Sequence, residues 1–145
     1  MKARSRARGW ALQALYAWEM RGGGADALVP VLQGLYTHLN VSSQNRLFAD
    51  VLVRIVARDL ERIDRVLERH LSNWKLDRLS VVDRNILRLG VAEMLYVDDV
   101  PLRVTIQEMV RLADRYGTLE SPRFVNGLLD AVMRRVESGA VAELA

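Results

Sequence analysis

From Val100 to Val136 the chain reads VPLRVTIQEMVRLADRYGTLESPRFVNGLLDAVMRRV, and this stretch constrains the fold more than any other. Ile106, Met109, Val110, Ala113 and Tyr116 recur in steps of three and four. After a short punctuated gap, Val125, Leu128, Leu129, Val132, Met133 and Val136 do the same. That spacing gathers apolar side chains on one face of a helix, and a second helix must cover each stripe. Gly117 is expected to end the first helix in the left-handed conformation glycine tolerates. Ser121 and Pro122 read as an N-cap and a first-turn proline opening the second. Phe124 fits least well. At 100° per residue it lies about 100° from Val125 and about 40° from Leu128, so it borders the stripe. It is expected to lean outward, past the loop, toward the chain's basic start.

The rest of the chain repeats the pattern. Residues 3–20 predict a helix with Ala7, Ala11, Leu12 and Leu15 inward, stopped by Arg21-Gly22-Gly23-Gly24. That glycine run is not a phosphate loop, because it follows a helix and lacks the Gly-Lys-Ser/Thr ending. Residues 26–39 predict a second helix with Leu28, Val31, Leu32 and Leu35 inward. Residues 46–71 predict a long third, with Leu47, Phe48, Val51, Leu52, Ile55, Val56, Ile63, Val66 and Leu67 in its stripe. Its many charges read as a solvated face with helical ion pairs. Trp74 in the next connection reads as a lid on the core. Ser80-Val81-Val82-Asp83 is a capping-box pattern. The helix it opens carries Gly90, which costs about 1 kcal/mol against alanine mid-helix and so implies a close helix contact. Six or seven helices with short links result, an all-α bundle over 145 residues read as one domain.

Charge is uneven. Lys2, Arg4, Arg6 and Arg8 precede the first acid, Glu19, so the first 18 residues carry +4 and the remainder sums to −1. Cations in a helix's first turns oppose its dipole. The arginines are thus either kept for a bound polyanion or sit on a frayed, solvated end. No catalytic constellation stands out. His38 and His70 are isolated, cysteines are absent, and neither a nucleophile motif nor a dinucleotide fingerprint occurs. A binding protein without cofactor or metal is expected. No apolar run approaches the roughly 20 residues of a membrane span, and lack of cysteine suits the cytoplasm.

RARGWALQALYAWEM (6–20), VVDRNILRLGVAEMLY (81–96), VPLRVTIQEMVRLADRYG (100–117) and SPRFVNGLLDAV (121–132), in that order, resemble the NusB family of transcription antitermination factors. Residues 22–80 match only in helical character. The resemblance implies two packed three-helix subdomains with one further helix. It implies binding of the boxA RNA of ribosomal RNA leaders, with ribosomal protein NusE, in an antitermination complex with RNA polymerase. By position it places Arg4, Arg6 and Arg8 in an arginine-rich RNA-binding start that Ser5 and Ala7 interrupt. Phe124 falls at a base-contacting aromatic and Glu120 at an acidic position edging the RNA and partner surfaces. Tyr16 and Asp83 fall on the NusE face. Asn126 and Gly127 are expected to be structural, the glycine allowing close packing.

Other readings compete. Asp83 could be only a cap, Tyr16 only a helix contact, Phe124 only core. A helical protein-interaction scaffold or homodimer without RNA binding is one alternative function. The RNA-binding part of a ribosomal RNA methyltransferase is another, and because the chain stops at Ala145 a free-standing factor is expected.

Overall fold

The computed structural model describes residues 2–72 and 75–139; Trp74 lies outside them. Among the described residues are six α-helices: α1 Ala3–Arg21, α2 Leu28–Leu39, α3 Leu47–His70, α4 Val81–Tyr96, α5 Leu102–Tyr116 and α6 Ser121–Glu137. Three single 3-10 turns, Ala25–Ala27, Ser43–Asn45 and Leu76–Arg78, account for the links that could be taken for a seventh. Helix ends follow local chemistry. Gly22 and Asn40 take the left-handed conformation after α1 and α2, and the Asp83 amide donates to Ser80 Oγ at 3.1 Å to open α4.

α1, α2 and α3 pack as one group and α4, α5 and α6 as another, with α4 also laid against α1 and α3. This gives α4 an unusual burden. Every residue from Asn85 to Met94 is buried, although Asn85, Arg88 and Glu93 are polar. A helix enclosed on all sides keeps such groups only if each has partners. Gly90 marks the tightest approach: a Cβ there would sit 2.8 Å from Leu129 Cδ1, so α4 and α6 meet where the sequence predicts a close contact.

Several expectations fail. Gly117 has φ −94°, not left-handed. A Cβ on it would instead collide with Ser121 Oγ at 2.4 Å and with the Ala113 carbonyl at 2.8 Å, so glycine is required for room. Ser121 lies just inside α6, buried, where its hydroxyl accepts the Thr118 amide at 3.0 Å. Leu47 opens α3 at 74% exposure, outside the stripe in which Phe48 packs on the core and Ala49 is buried. Gly127 has open space where its side chain would be, so it serves no close packing, and Asn126 beside it is exposed. The polar face of α3 is only partly solvated: Asp64 accepts Arg88 at 2.9 and 3.0 Å, and Arg62 donates to the Tyr96 hydroxyl at 3.0 Å. α3 also breaks its helical geometry at Asp59, which no glycine or proline announces.

Candidate nucleic-acid interface

Arg4 and Arg8 are one turn apart on α1 and share a face, so both guanidinium groups lie over the ring of Phe48, at 4.5 and 5.0 Å. There the likeness ends. Arg8 is 3% exposed. Its Nε and Nη2 donate to the two oxygens of Glu93 at 2.9 and 2.6 Å, and its Nη1 donates to Glu108 at 3.1 Å. Glu93, fully buried, also accepts the Thr105 hydroxyl at 2.9 Å, and Ser5 donates to Glu108. Buried and paired with two carboxylates, Arg8 is not displayed for the phosphate role expected of it. The same pairing explains why this cation is tolerated near the start of α1.

Arg4 is held more loosely. It donates to Asp99 at 2.9 and 3.2 Å, with both side chains open to water. The hydrogen bond from Arg4 holds the Asp99 carboxyl below its usual range. Arg6 points to a different side of the helix and is exposed. Of the three arginines, Arg6 is open, Arg4 shared and Arg8 consumed.

The second group of site residues gathers elsewhere. Asp83 at the start of α4 and Glu120, Arg123 and Phe124 at the start of α6 line one cleft of about 520 Å³, with Arg78 and Ser80 on its rim. Phe124 is half-buried, packed on the core on one side and lining this cleft on the other. It does not lean toward the basic start. Arg8 bonds Glu93 near the end of α4, whereas Glu19 bonds Arg84 near its beginning, so α1 and α4 run antiparallel. The basic start thus lies at the far end of α4, roughly 20 Å from the cleft at 1.5 Å per residue. One oxygen of Asp83, Oδ1, is buried without a hydrogen-bond partner, a costly state unless something else meets it. Tyr16 is 43% exposed on the last turns of α1, at the same end of the molecule as Asp83, with exposed Met20 one turn on.

Near the end of α1 a polar cluster joins α1, α3 and α4. Glu19 accepts Arg84 and, at 2.7 Å, Arg88. Arg88 also bonds Asp64 and the Asn85 side chain. Burial alone would raise the Glu19 carboxyl, but the hydrogen bond from Arg84 and the charges of Arg84 and Arg88 outweigh it and hold the group low. This cluster satisfies Asn85 and Arg88, as Arg8 and Thr105 satisfy Glu93. Among the described residues no group of acids and histidines could hold a metal ion, and no helix is long and apolar enough to cross a membrane.

The family model for the NusB family matches residues 5–134. The chain belongs to the NusB family. The NusB-type transcription antitermination protein of Myxococcus xanthus is 44% identical over 91% of this chain and 95% of its own length. That of Chloroherpeton thalassium is 35% identical over 96% of this chain, which spans 65% of that longer relative. A solved structure of the antitermination factors NusB and NusE in complex with double-stranded RNA superimposes with a TM-score of 0.82 at 32% identity, covering 92% of this chain and 98% of that one. The all-helical NusB fold read from the sequence therefore holds. What sequence reading misses is the pairing across α1, α4 and α5. Trp10, Arg111 and Arg115 carry no motif, yet α1 and α5 bring them to one cleft with Arg6.

Proposed function

We propose that this chain is a cytoplasmic, non-enzymatic transcription antitermination factor, a single NusB-like domain that binds boxA RNA together with ribosomal protein NusE. The observation that carries this is the close structural likeness, over almost the full length of both chains, to a NusB solved with NusE and RNA. The charge distribution supports it: the acid-free start of α1 leaves Arg6 fully open and Arg4 held only by an exposed carboxylate. Arg4 and Arg6 contact phosphate, Arg8 positions the start of α1, and Phe124 with Glu120 edges the RNA. Tyr16 and Asp83 face NusE, whose donors would meet the unpartnered Asp83 oxygen. The test is a gel shift of boxA RNA against a scrambled sequence, with and without NusE. A shift specific to boxA and strengthened by NusE is expected. Equal binding of both RNAs, or none, together with self-association would favour a protein scaffold instead.

A further inference from the structure

We infer that the cleft between α1 and α5 is a nucleotide-holding subsite for single-stranded RNA, with Arg6, Arg111 and Arg115 as its phosphate-facing cations and Trp10 as its base platform. The inference rests on the reading of the protein as an RNA-binding factor, and extends the RNA path from the start of α1 onto α5.

The two helices run parallel here. Ser5 and Arg8 reach Glu108, and one to two turns further on Trp10 and Gln13 face Leu112, Arg115 and Tyr116 across an open cavity of about 380 Å³. Pockets from about 300 Å³ upward hold small ligands. Its charge is lopsided. Glu108 is the one carboxylate among the lining residues, and Ser5, Arg8 and Arg111 already surround it, Arg111 at 3.5 Å. Arg6, Arg111 and Arg115 stand exposed around the rim. Its lining includes two aromatic rings: Trp10 is half-buried against the core, and the Arg115 guanidinium lies 5.2 Å over the Tyr116 ring. Cationic rims attract phosphate, and planar rings and guanidinium planes hold unstacked bases. An acidic peptide would use the charge but not the rings.

Gly9 adds a second, independent observation. It sits inside α1, where glycine weakens a helix relative to alanine. Packing does not demand it, since a Cβ there would meet nothing within 4 Å. It lines this cleft beside Trp10 and leaves the floor open.

The experiment titrates labelled single-stranded boxA RNA with the full chain and NusE over a range of salt concentrations, with thermal melting of each variant. Arg111→Ala/Arg115→Ala is expected to weaken binding roughly ten-fold and to flatten the salt dependence by roughly two units of slope, one per lost phosphate contact. Gly9→Leu, which favours helix and fills the cleft, is expected to melt no lower than the parent yet bind RNA several-fold more weakly with its salt slope unchanged. If both variants bind like the parent while Arg4→Ala weakens binding, the cleft is rejected and the RNA-binding reading stands. If the double variant loses affinity with its slope intact, direct phosphate contact is rejected. If the parent itself does not bind boxA RNA, both readings fall together.

Discussion

The start of α1 and the mouth of the α4–α6 cleft hold most of the residues that the family resemblance marks for recognition, and they are built in opposite ways. At the start of α1 two of the three arginines are already paired, one of them inside the protein. Arg8 fills its fork with Glu93 and Glu108, and Arg4 shares Asp99. At the cleft a polar atom is left over: Asp83 buries an oxygen that no described residue meets. A run of arginines is thus a poor guide to which of them is displayed. A carboxylate that looks like a helix cap can instead be the group left waiting for a partner.

The comparison breaks most sharply at Arg8. Arg8→Ala strands Glu93 in the core with only Thr105 for company, and breaking a buried pair from one side costs about 3–5 kcal/mol. Arg6→Ala should change stability by no more than about 0.5 kcal/mol, as for most exposed sites. Urea unfolding of both variants checks this. Arg8→Met combined with Glu93→Gln should recover much of the loss, since the uncompensated charge goes with its partner. Equal stability of Arg8→Ala and Arg6→Ala would show that the buried fork contributes nothing.

At the cleft the corresponding variant is Phe124→Ala. A fully buried phenylalanine costs about 3–5 kcal/mol to truncate. Phe124 is half-buried, so a loss nearer 1–3 kcal/mol is expected, together with about ten-fold weaker RNA binding if a base stacks on the open edge. Melting and RNA titration on one preparation separate the two effects. RNA affinity unchanged in the folded fraction would leave Phe124 as core alone.

The fold was legible where the signal is local. Periods of three and four, glycine stops and Gly90 read out six or seven helices, of which six form, and one tight crossing, because those features need only neighbouring residues. The site was less legible because its decisive partners are remote. Glu93 and Glu108 lie 85 and 100 residues from Arg8, and no local pattern announces that they meet it. Trp10 with Arg115 is hidden in the same way: they lie more than 100 residues apart, and only the fold brings both to one cleft. Gly117 fails for another reason. Its place after α5 suggests handedness, whereas the return of Ser121 against it demands space.

The polar cluster at the other end of α1 gives a pH test that leaves the recognition residues alone. The Glu19 carboxyl is held low in the folded protein by Arg84 and Arg88. A group with a depressed folded pKa contributes stability that is fully present above its unfolded value and lost as pH falls through the folded one. Stability should therefore decline below about pH 4.5, and Glu19→Gln should flatten that part of the decline while lowering stability at neutral pH. An acid limb identical in both proteins would remove Glu19 from the account.

The smallest expected effect concerns Asp99. In the free protein its carboxylate occupies the Arg4 guanidinium as a phosphate would, with both groups in solvent. RNA must displace it, and the displaced aspartate then adds a negative charge beside the bound strand. Asp99→Asn should therefore tighten RNA binding, on the order of two- to three-fold at low salt, the modest scale of an exposed ion pair. The gain should fade as salt screens the charge. Combined with Arg4→Ala, most of it should vanish, since no cation is left to release. If Asp99→Asn tightens binding equally in both backgrounds, the aspartate acts through the general field of the protein and Arg4 is not the group it holds back.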